Sequence, residues 1–321
     1  MVENNYWVKW VIFHNIVRTD SWYICDILRK MNLTIFVLTL ISGILNATWN
    51  FFSKKKSGDY SVMVTGLALS HLIILPVTLV LMAIYGLDLR AIPVILLSGL
   101  FAGLNILLLV FMYESSDISM AYPVTRGTGV MFIAILSSIL LGEHVSRMAI
   151  VGIFLVLLGV FLFALSRGRR FSDIWESIKR QKIAFFNGLS MVGYNLVDRV
   201  AVQSINPLFL YNLRGVVAMS FAIGFLMLKR GYTFSHMRDT FRCEWKYSCI
   251  IGYGSFIGYA IILLIYYLFA EAKASYVTPI RETSIVIGAL LGFIFLKEKA
   301  TINKLAGILS IVLGVIFIKI G

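Results

Sequence analysis

The chain has 321 residues, of which 59% are hydrophobic and only 14% are charged. A soluble domain of average composition has about 25% charged residues, so this chain lacks the polar side chains that would cover a water-facing surface. The composition therefore excludes an ordinary soluble enzyme, a disordered protein and a fibrous one, and it predicts an integral membrane protein. The net charge of +13 does not indicate nucleic-acid binding, because basic residues collect in the cytoplasmic loops of membrane proteins.

About twenty consecutive apolar residues cross a bilayer as a helix, and the chain contains ten such stretches. In chain order they are residues 33–52, 62–85, 91–113, 119–141, 148–166, 183–203, 207–228, 247–269, 275–296 and 302–320. The apolar runs are continuous, which indicates helices rather than strands. We therefore expect an all-α integral membrane protein with ten transmembrane helices.

Three segments lie outside these stretches. Residues 1–30 contain only a short apolar run, and Met31 stands just before the first long one. We expect translation to start at Met31 and residues 1–30 not to belong to the natural protein; an interfacial amphipathic segment is the alternative. The linker at 167–182 is basic, and its apolar residues recur every three or four positions. This pattern predicts a short helix on the membrane surface. Residues 233–246 show the same pattern, and we expect the same kind of helix there. A solvated basic loop is the alternative for both segments.

An internal repeat organises the chain. Residues 99–160 align without a gap with residues 254–315, and the identical pairs include Gly99/Gly254, Arg126/Arg281, Thr128/Thr283, Glu143/Glu298, Gly152/Gly307 and Gly159/Gly314. We therefore divide the chain into a first five-helix repeat at residues 31–166 and a second at residues 183–321. Because five is odd, consecutive repeats enter the membrane from opposite sides. This inverted-topology arrangement is typical of secondary transporters, whose substrate site lies near the midplane between the repeats.

The basic residues cluster in the loops after the first, fifth, seventh and ninth stretches. The positive-inside rule places those loops in the cytoplasm and both termini outside. We expect a multi-pass protein of the cell inner (plasma) membrane.

Several local strings carry a resemblance to a known family. Residues 121–143 read AYPVTRGTGVMFIAILSSILLGE, and residues 274–298 read ASYVTPIRETSIVIGALLGFIFLKE. The first stretch contains NATWN at residues 46–50, followed by a cluster of lysines. Together these strings resemble the EamA family of the drug/metabolite transporter superfamily over residues 32–321. The resemblance implies ten helices in two EamA-type halves and the movement of small metabolites or drugs, often outward.

Two arginines lie inside predicted helices at repeat-related positions. Arg126 and Arg281 shortly follow Pro123 and Pro279, and proline interrupts the helical hydrogen-bond ladder, so carbonyl groups there can line a cavity. A charged side chain at the centre of a membrane helix costs roughly 2.5–3.5 kcal/mol, so each needs a partner or a water-filled cavity. We expect both to bind a carboxylate or phosphate group of a substrate; reaching the membrane surface, or pairing with an acidic neighbour, is the alternative. The prolines are offset between the repeats, which predicts differently shaped helix starts.

Two acidic residues, Asp198 and Glu282, are candidates for proton coupling, because acidic side chains inside a membrane mark proton pathways. Asp198 can instead pair with Arg199 at a helix end. Arg214 has no counterpart in the other repeat, and it is either a substrate ligand or a structural link to Asp198.

Uncharged residues complete the predicted substrate site, which consists of Asn46, Trp49, Asn105, Arg126, Tyr194, Arg214 and Arg281. For each asparagine, hydrogen bonding between helices is the alternative. Glu143 and Glu298 lie at helix ends, where we expect capping or loop pairing.

The sequence has no HExxH zinc motif, no GxSxG nucleophile turn and no Walker A loop, and its four histidines do not cluster. We therefore expect no catalytic residue, cofactor, bound metal or nucleic-acid partner. The prediction is a monomeric secondary transporter, an exporter, of a small zwitterionic or anionic metabolite such as an amino acid or organic acid. It works by alternating access, with protons as the candidate coupling ion. The alternatives are a lipid-handling membrane protein or membrane enzyme with a laterally open cavity, and a receptor or scaffold that transports nothing.

Overall fold

The computed structural model describes residues 32–56, 60–115, 118–165, 182–295 and 300–321. Within these ranges the regular secondary structure is helical. Residues 1–30, the linker up to residue 181 and Glu298 lie outside the described residues, so what the sequence predicts for them stays a prediction.

Five long helices form the first repeat: α1 (Leu33–Lys55), α2 (Tyr60–Tyr85), α3 (Ile92–Ser115), α4 (Ile118–Leu141) and α5 (Arg147–Leu165). A short 3-10 helix at Leu89–Ala91 precedes α3. The chain leaves α2 and α4 through Gly86 and Gly142, whose φ angles are 78° and 63°. Glycine adopts this left-handed conformation at little cost, so both residues end their helices cleanly.

The second repeat has six helices, because one of its spans is broken: α6 (Lys182–Ala201), α7 (Pro207–Arg230), α8 (Phe234–Leu268), α9 (Ala274–Arg281), α10 (Thr283–Phe295) and α11 (Ile302–Ile320). The break follows Pro279, which cannot donate a backbone hydrogen bond. Glu282 separates α9 from α10, and its N–H bonds the carbonyl of Pro279 at 3.1 Å. In the first repeat α4 is continuous over the corresponding residues, so the two repeats differ here, in agreement with the offset of their prolines.

Eight of the described helical segments are long and apolar enough to cross a membrane, with α9 and α10 counted together. Large apolar side chains such as Ile139 and Leu309 lie exposed on the outer faces, where a lipid environment suits them. Of the remaining long helices, α5 is apolar but shorter, and α6 buries Asn187, Asn195 and Asp198. The chain is a multi-pass membrane protein.

Residues 234–246 are helical, so the loop alternative is wrong for this segment. The hydroxyl of Thr233 caps α8 by accepting a hydrogen bond from the N–H of His236. The helix kinks at Glu244, where φ is −127° and ψ is 30°, before it continues into the membrane. Met237 is buried, whereas Phe234 and Trp245 are exposed.

Equivalent helices of the two repeats make equivalent contacts with each other's repeat. In one set, α3 packs against α6 and α7, and α4 packs against α6. In the other set, α8 packs against α1 and α2, and α9 and α10 pack against α1. Each helix therefore meets mainly helices of the other repeat, and the centre of the bundle lies between the repeats.

The last helices of the two repeats, α5 and α11, pack directly on each other. Gly152 faces the carbonyl of Gly314, and Gly159 faces the carbonyl of Gly307. Residue numbers rise along α5 while they fall along α11, so these repeat-equivalent helices are antiparallel.

The bundle has two ends that differ in charge. The basic end is where α1, α3, α5, α7 and α10 terminate, and it carries Lys55, Lys56, Lys229 and Arg230. The opposite end holds the α4–α5 connection and the start of α9.

Candidate functional site

A cavity of about 130 Å³ lies between the two repeats. All seven residues of the predicted substrate site line it, namely Asn46, Trp49, Asn105, Arg126, Tyr194, Arg214 and Arg281. They come from α1, α3, α4, α6, α7 and α9, so folding brings together side chains that are far apart in the chain. Their role in binding a substrate stays a prediction.

The cavity lies on the basic-end side of the bundle centre. On α3 its lining runs from Ala102 to Met112, in the half of the helix nearest the basic end. On α6 it runs from Asn187 to Tyr194, close to the start of that helix. The opposite end is filled by a cluster of buried apolar residues that includes Ile95, Leu196, Leu210, Ile262 and Val277.

Arg214 is buried against Asp198, with 3.2 Å between its Nη1 atom and the Oδ2 atom of the carboxylate. Asp198 also accepts hydrogen bonds from the hydroxyls of Ser98 and Tyr259. Asp198 does not line the cavity, because Arg214 and Tyr259 lie between its carboxylate and the cavity. The structure thus realises the link between Arg214 and Asp198 that the sequence left as one alternative. The other alternative, pairing with Arg199, is wrong, because Arg199 donates to the carbonyl of Ala270 at 2.9 Å.

Three tyrosine rings surround the guanidinium of Arg214. Its Cζ atom lies 4.5 Å from the ring centre of Tyr259 and 4.9 Å from those of Tyr194 and Tyr211. Such cation–π contacts stabilise a buried guanidinium. This aromatic box is already occupied by a cation of the protein itself.

Arg126 and Glu282 form a second buried ion pair, between α4 of one repeat and the α9–α10 break of the other. The distance from Arg126 Nη1 to Glu282 Oε1 is 3.3 Å. The second carboxylate oxygen, Oε2, is buried and has no hydrogen-bond partner among the described residues. Beside this pair is a gap of about 10 Å³, lined by both residues and by Asn195 and Arg281.

Arg281 differs from the other two arginines because no carboxylate lies within ion-pairing distance of it in the described part of the chain. Its Nη2 donates to the side-chain oxygen of Asn46 at 3.4 Å, and its guanidinium lies 5.4 Å from the ring centre of Tyr259. Its Nε–H is buried without a hydrogen-bond partner. Arg281 therefore has donor capacity left for a ligand.

Asn46 organises the α1 side of the cavity. Its side-chain oxygen also accepts from the indole N–H of Trp49 at 3.2 Å, and its amide donates to the hydroxyl of Ser284 at 3.1 Å. Asn105, on the α3 side, donates to the carbonyl of Asn187 at 3.0 Å. For both asparagines the structure thus shows an interhelical hydrogen bond, which was the alternative to ligand binding.

Sequence reasoning missed several residues of the cavity wall, among them His71, Asn187, Tyr211 and Tyr259. His71 lies against the rings of Tyr211 and Phe256, and a histidine inside an apolar stretch is a signal that could have found it. The two tyrosines are among 15 in the chain, and nothing in their local sequence separates them from the others.

Among the described residues, no group of three or more His, Cys, Asp or Glu side chains is arranged to hold a metal ion. In the described part of the chain, the ionic groups around the cavity are three guanidiniums and two carboxylates, and both carboxylates are paired. The arrangement can therefore accept one further negative charge.

Comparisons with known proteins identify the fold and the family. A sequence profile of the EamA-like transporter family matches residues 33–165 and again residues 182–320. One solved crystal structure superposes with a TM-score of 0.69 at 12% identity, over 89% of this chain and 96% of the other; this likeness shows a shared fold alone. An uncharacterized protein of Methanocaldococcus jannaschii is 38% identical over 58 residues, which are 18% of this chain and 42% of that relative.

The resemblance seen in the sequence motifs is confirmed by the two profile matches, which together cover most of the chain. With its apolar helices, its central cavity and these two repeats, the chain belongs to the EamA-like transporter family, of the drug/metabolite transporter superfamily.

Proposed function

We propose that this protein is a secondary transporter that moves a small anionic or zwitterionic metabolite by alternating access. The observation that carries the proposal is Arg281, a guanidinium in the cavity wall with no carboxylate partner among the described residues. A carboxylate of the substrate completes its hydrogen bonds, because charge-assisted bonds of this kind are strong where water is excluded. Glu282 lines the small gap beside Arg281, and its Oε2 has no partner among the described residues. A zwitterion gains a second contact when its ammonium group reaches this gap.

The size of the cavity supports a small substrate. An engineered protein cavity of about 150 Å³ holds one benzene molecule, whereas drug-sized ligands occupy about 300–1,000 Å³. The 130 Å³ cavity therefore matches a metabolite of the size of an amino acid or a short organic acid.

The packing of the helices supports ten spans in an inverted-topology repeat. The antiparallel pairing of α5 with α11 is the relation expected of equivalent helices that enter the membrane from opposite sides. Such repeats allow the two halves to exchange conformations around a central site. The cavity lies towards the basic end, which the positive-inside rule assigns to the cytoplasm. Export across the plasma membrane is the direction of transport that we propose.

The position of Arg126 and Arg281 argues against the lipid-handling alternative. In that case both side chains would reach out to lipid headgroups, but both line the central cavity.

Counterflow in proteoliposomes tests the substrate class. We expect preloaded amino acids or short organic acids to drive uptake of the radiolabelled compound, and quaternary ammonium compounds to have no effect. Arg281→Gln removes the charge–charge contact and weakens apparent affinity by roughly tenfold to a hundredfold. Arg242→Gln, at an exposed site of the basic end, is the matched control and leaves affinity unchanged. Uptake of a quaternary ammonium instead of any acid would overturn the proposed polarity.

Proton coupling is proposed at Glu282, with Asp198 as the second candidate. The partly unsatisfied carboxylate of Glu282 and its place at the small gap beside Arg281 support the first, whereas Asp198 has partners on both oxygens. We expect Glu282→Gln to abolish uptake driven by a pH gradient while counterflow of substrate continues, because exchange needs no net proton movement. If gradient-driven uptake survives this substitution, Glu282 is not the coupling group.

A further inference from the structure

The two repeats are joined at the opposite end by a carboxylate that the proposed transport site does not use. Glu143 directly follows Gly142 in the connection between α4 and α5. Its Oε1 accepts from the N–H of Ala274 at 2.8 Å, and its Oε2 accepts from the N–H of Ser275 at 3.0 Å and from the Ser275 hydroxyl at 2.6 Å. A side chain of the first repeat thus caps the first turn of α9 in the second repeat.

Two further contacts fix the same connection to α9. The ammonium group of Lys273 donates to the carbonyl of His144 at 2.5 Å, and the N–H of Ser146 donates to the hydroxyl of Tyr276 at 3.0 Å. The first N–H groups of a helix have no partner within the helix and carry partial positive charge. A carboxylate placed there is therefore a strong contact, and it crosses the boundary between the repeats.

The other end of α9 lies at the cavity. The helix has eight residues, which span about 12 Å at 1.5 Å per residue. It ends with Arg281, and the next residue is Glu282, the partner of Arg126. Because the chain breaks at Glu282, α9 is a short rigid element that connects the Glu143 contact at one end to two charged residues of the site at the other.

We propose that Glu143 is a positioning residue that holds α9 in place and keeps the opposite end of the cavity closed. Its release from the first turn of α9 opens that end, and the displacement of α9 carries Arg281 and Glu282 with it. This inference rests on the proposed alternating access. It adds the contact that controls whether the cavity is open towards the opposite end of the bundle. The release is feasible because water at the membrane surface can solvate both the carboxylate and the freed N–H groups.

Cysteine labelling of purified protein in detergent tests the proposal. In a background with Cys25, Cys243 and Cys249 replaced by serine, one reporter is Leu196→Cys, in the buried cluster at the opposite end. The other reporter is Leu109→Cys, in the cavity wall towards the basic end. A water-soluble maleimide is added, and the labelling rate of each reporter is followed by mass spectrometry.

Glu143→Gln is expected to raise the labelling rate of the Leu196→Cys reporter at least tenfold and to lower that of the Leu109→Cys reporter. Ser275→Ala removes one of the three hydrogen bonds to Glu143 and shifts both rates in the same directions by a smaller factor. Glu271→Gln changes an exposed acid of the same α8–α9 connection and leaves both rates unchanged.

The decisive result is that the two labelling rates change in opposite directions, with a rise for the Leu196→Cys reporter and a fall for the Leu109→Cys reporter. If Glu143→Gln caused local unfolding, both labelling rates would rise. If the Glu143 contact did not keep the cavity closed, neither rate would change. Either result overturns the proposal. The labelling needs no substrate, so its outcome is independent of whether the transport assay succeeds.

Discussion

Asp198 and Arg214 form an ion pair that is buried away from lipid and bulk water. The groups around the pair explain how the fold tolerates these two charges. Both oxygens of Asp198 have partners, and Arg214 lies among three tyrosine rings. Two buried charges are tolerated when they are paired. Cation–π contacts add to the ion pair here, because the Nε and Nη1 atoms of Arg214 have no hydrogen-bond partner among the described residues. We therefore assign this pair to the architecture of the site, in contrast to Glu282, which keeps one oxygen without a partner.

Removal of one charge from this pair should be costly. Asp198→Asn leaves Arg214 buried without its counter-ion, and we expect the free energy of unfolding to fall by about 3–5 kcal/mol. Thermal unfolding in detergent measures the change. Asp239→Asn is the control, because it breaks an exposed pair with Arg238 that contributes at most about 1 kcal/mol. Equal shifts in Tm for the two variants would contradict the assignment.

At the scale of helices, glycine determines how closely α5 and α11 approach. A Cβ atom built on Gly152 would lie 2.6 Å from the carbonyl oxygen of Gly314, and one on Gly159 would lie 2.7 Å from that of Gly307. These distances are too short for non-bonded atoms, so the two helices can pack in this way only because the side chains are absent. Membrane helices often associate through small residues for this reason.

Gly152→Ala should force the two helices apart and lower the free energy of unfolding by about 1–3 kcal/mol, the usual cost of overpacking. The measurement is Tm in detergent, by loss of the monodisperse fraction after heating. Gly288→Ala provides the comparison, because a Cβ atom at that position of α10 meets nothing within 4 Å. A Gly152→Ala protein as stable as the Gly288→Ala protein would show that the close approach is not needed.

At the scale of the whole molecule, the direction of every helix follows from the two ends of the bundle. The positive-inside rule places the basic end in the cytoplasm, so the C-terminus at Gly321 should lie outside. In a bacterial host, alkaline phosphatase fused after Gly321 should be active, whereas the same enzyme fused after Gly231, at the basic end, should be inactive. The reverse pattern would invert the proposed orientation.

Much of this architecture is predictable from the sequence, because apolar stretches and repeat identities are local or periodic signals. The buried arginines were recognisable for a similar reason, since a charge inside an apolar run needs an explanation. The partner of each arginine was harder to predict. Arg126 meets Glu282 because α4 packs against α9, and no local pattern encodes this contact. The link from Arg214 to Asp198 was one of two alternatives that the sequence left open.

The tyrosines of the cavity wall were also difficult to predict from the sequence. Tyr259 contacts Arg214 and Arg281, and it donates to Asp198, yet its neighbours in sequence are ordinary residues of an apolar helix. Its importance arises from packing between repeats, which a single sequence does not reveal.

The pairing of Asn105 with Asn187 has a mechanical consequence. Each amide donates to the backbone carbonyl of the other residue, at 3.0 and 2.7 Å, so the two bonds form a reciprocal clasp between α3 and α6. A slide of one helix along the other by a single residue, about 1.5 Å, would break both bonds at once, whereas a small rotation about the clasp keeps them. The clasp is thus suited to serve as a pivot, about which the two repeats rock without changing register.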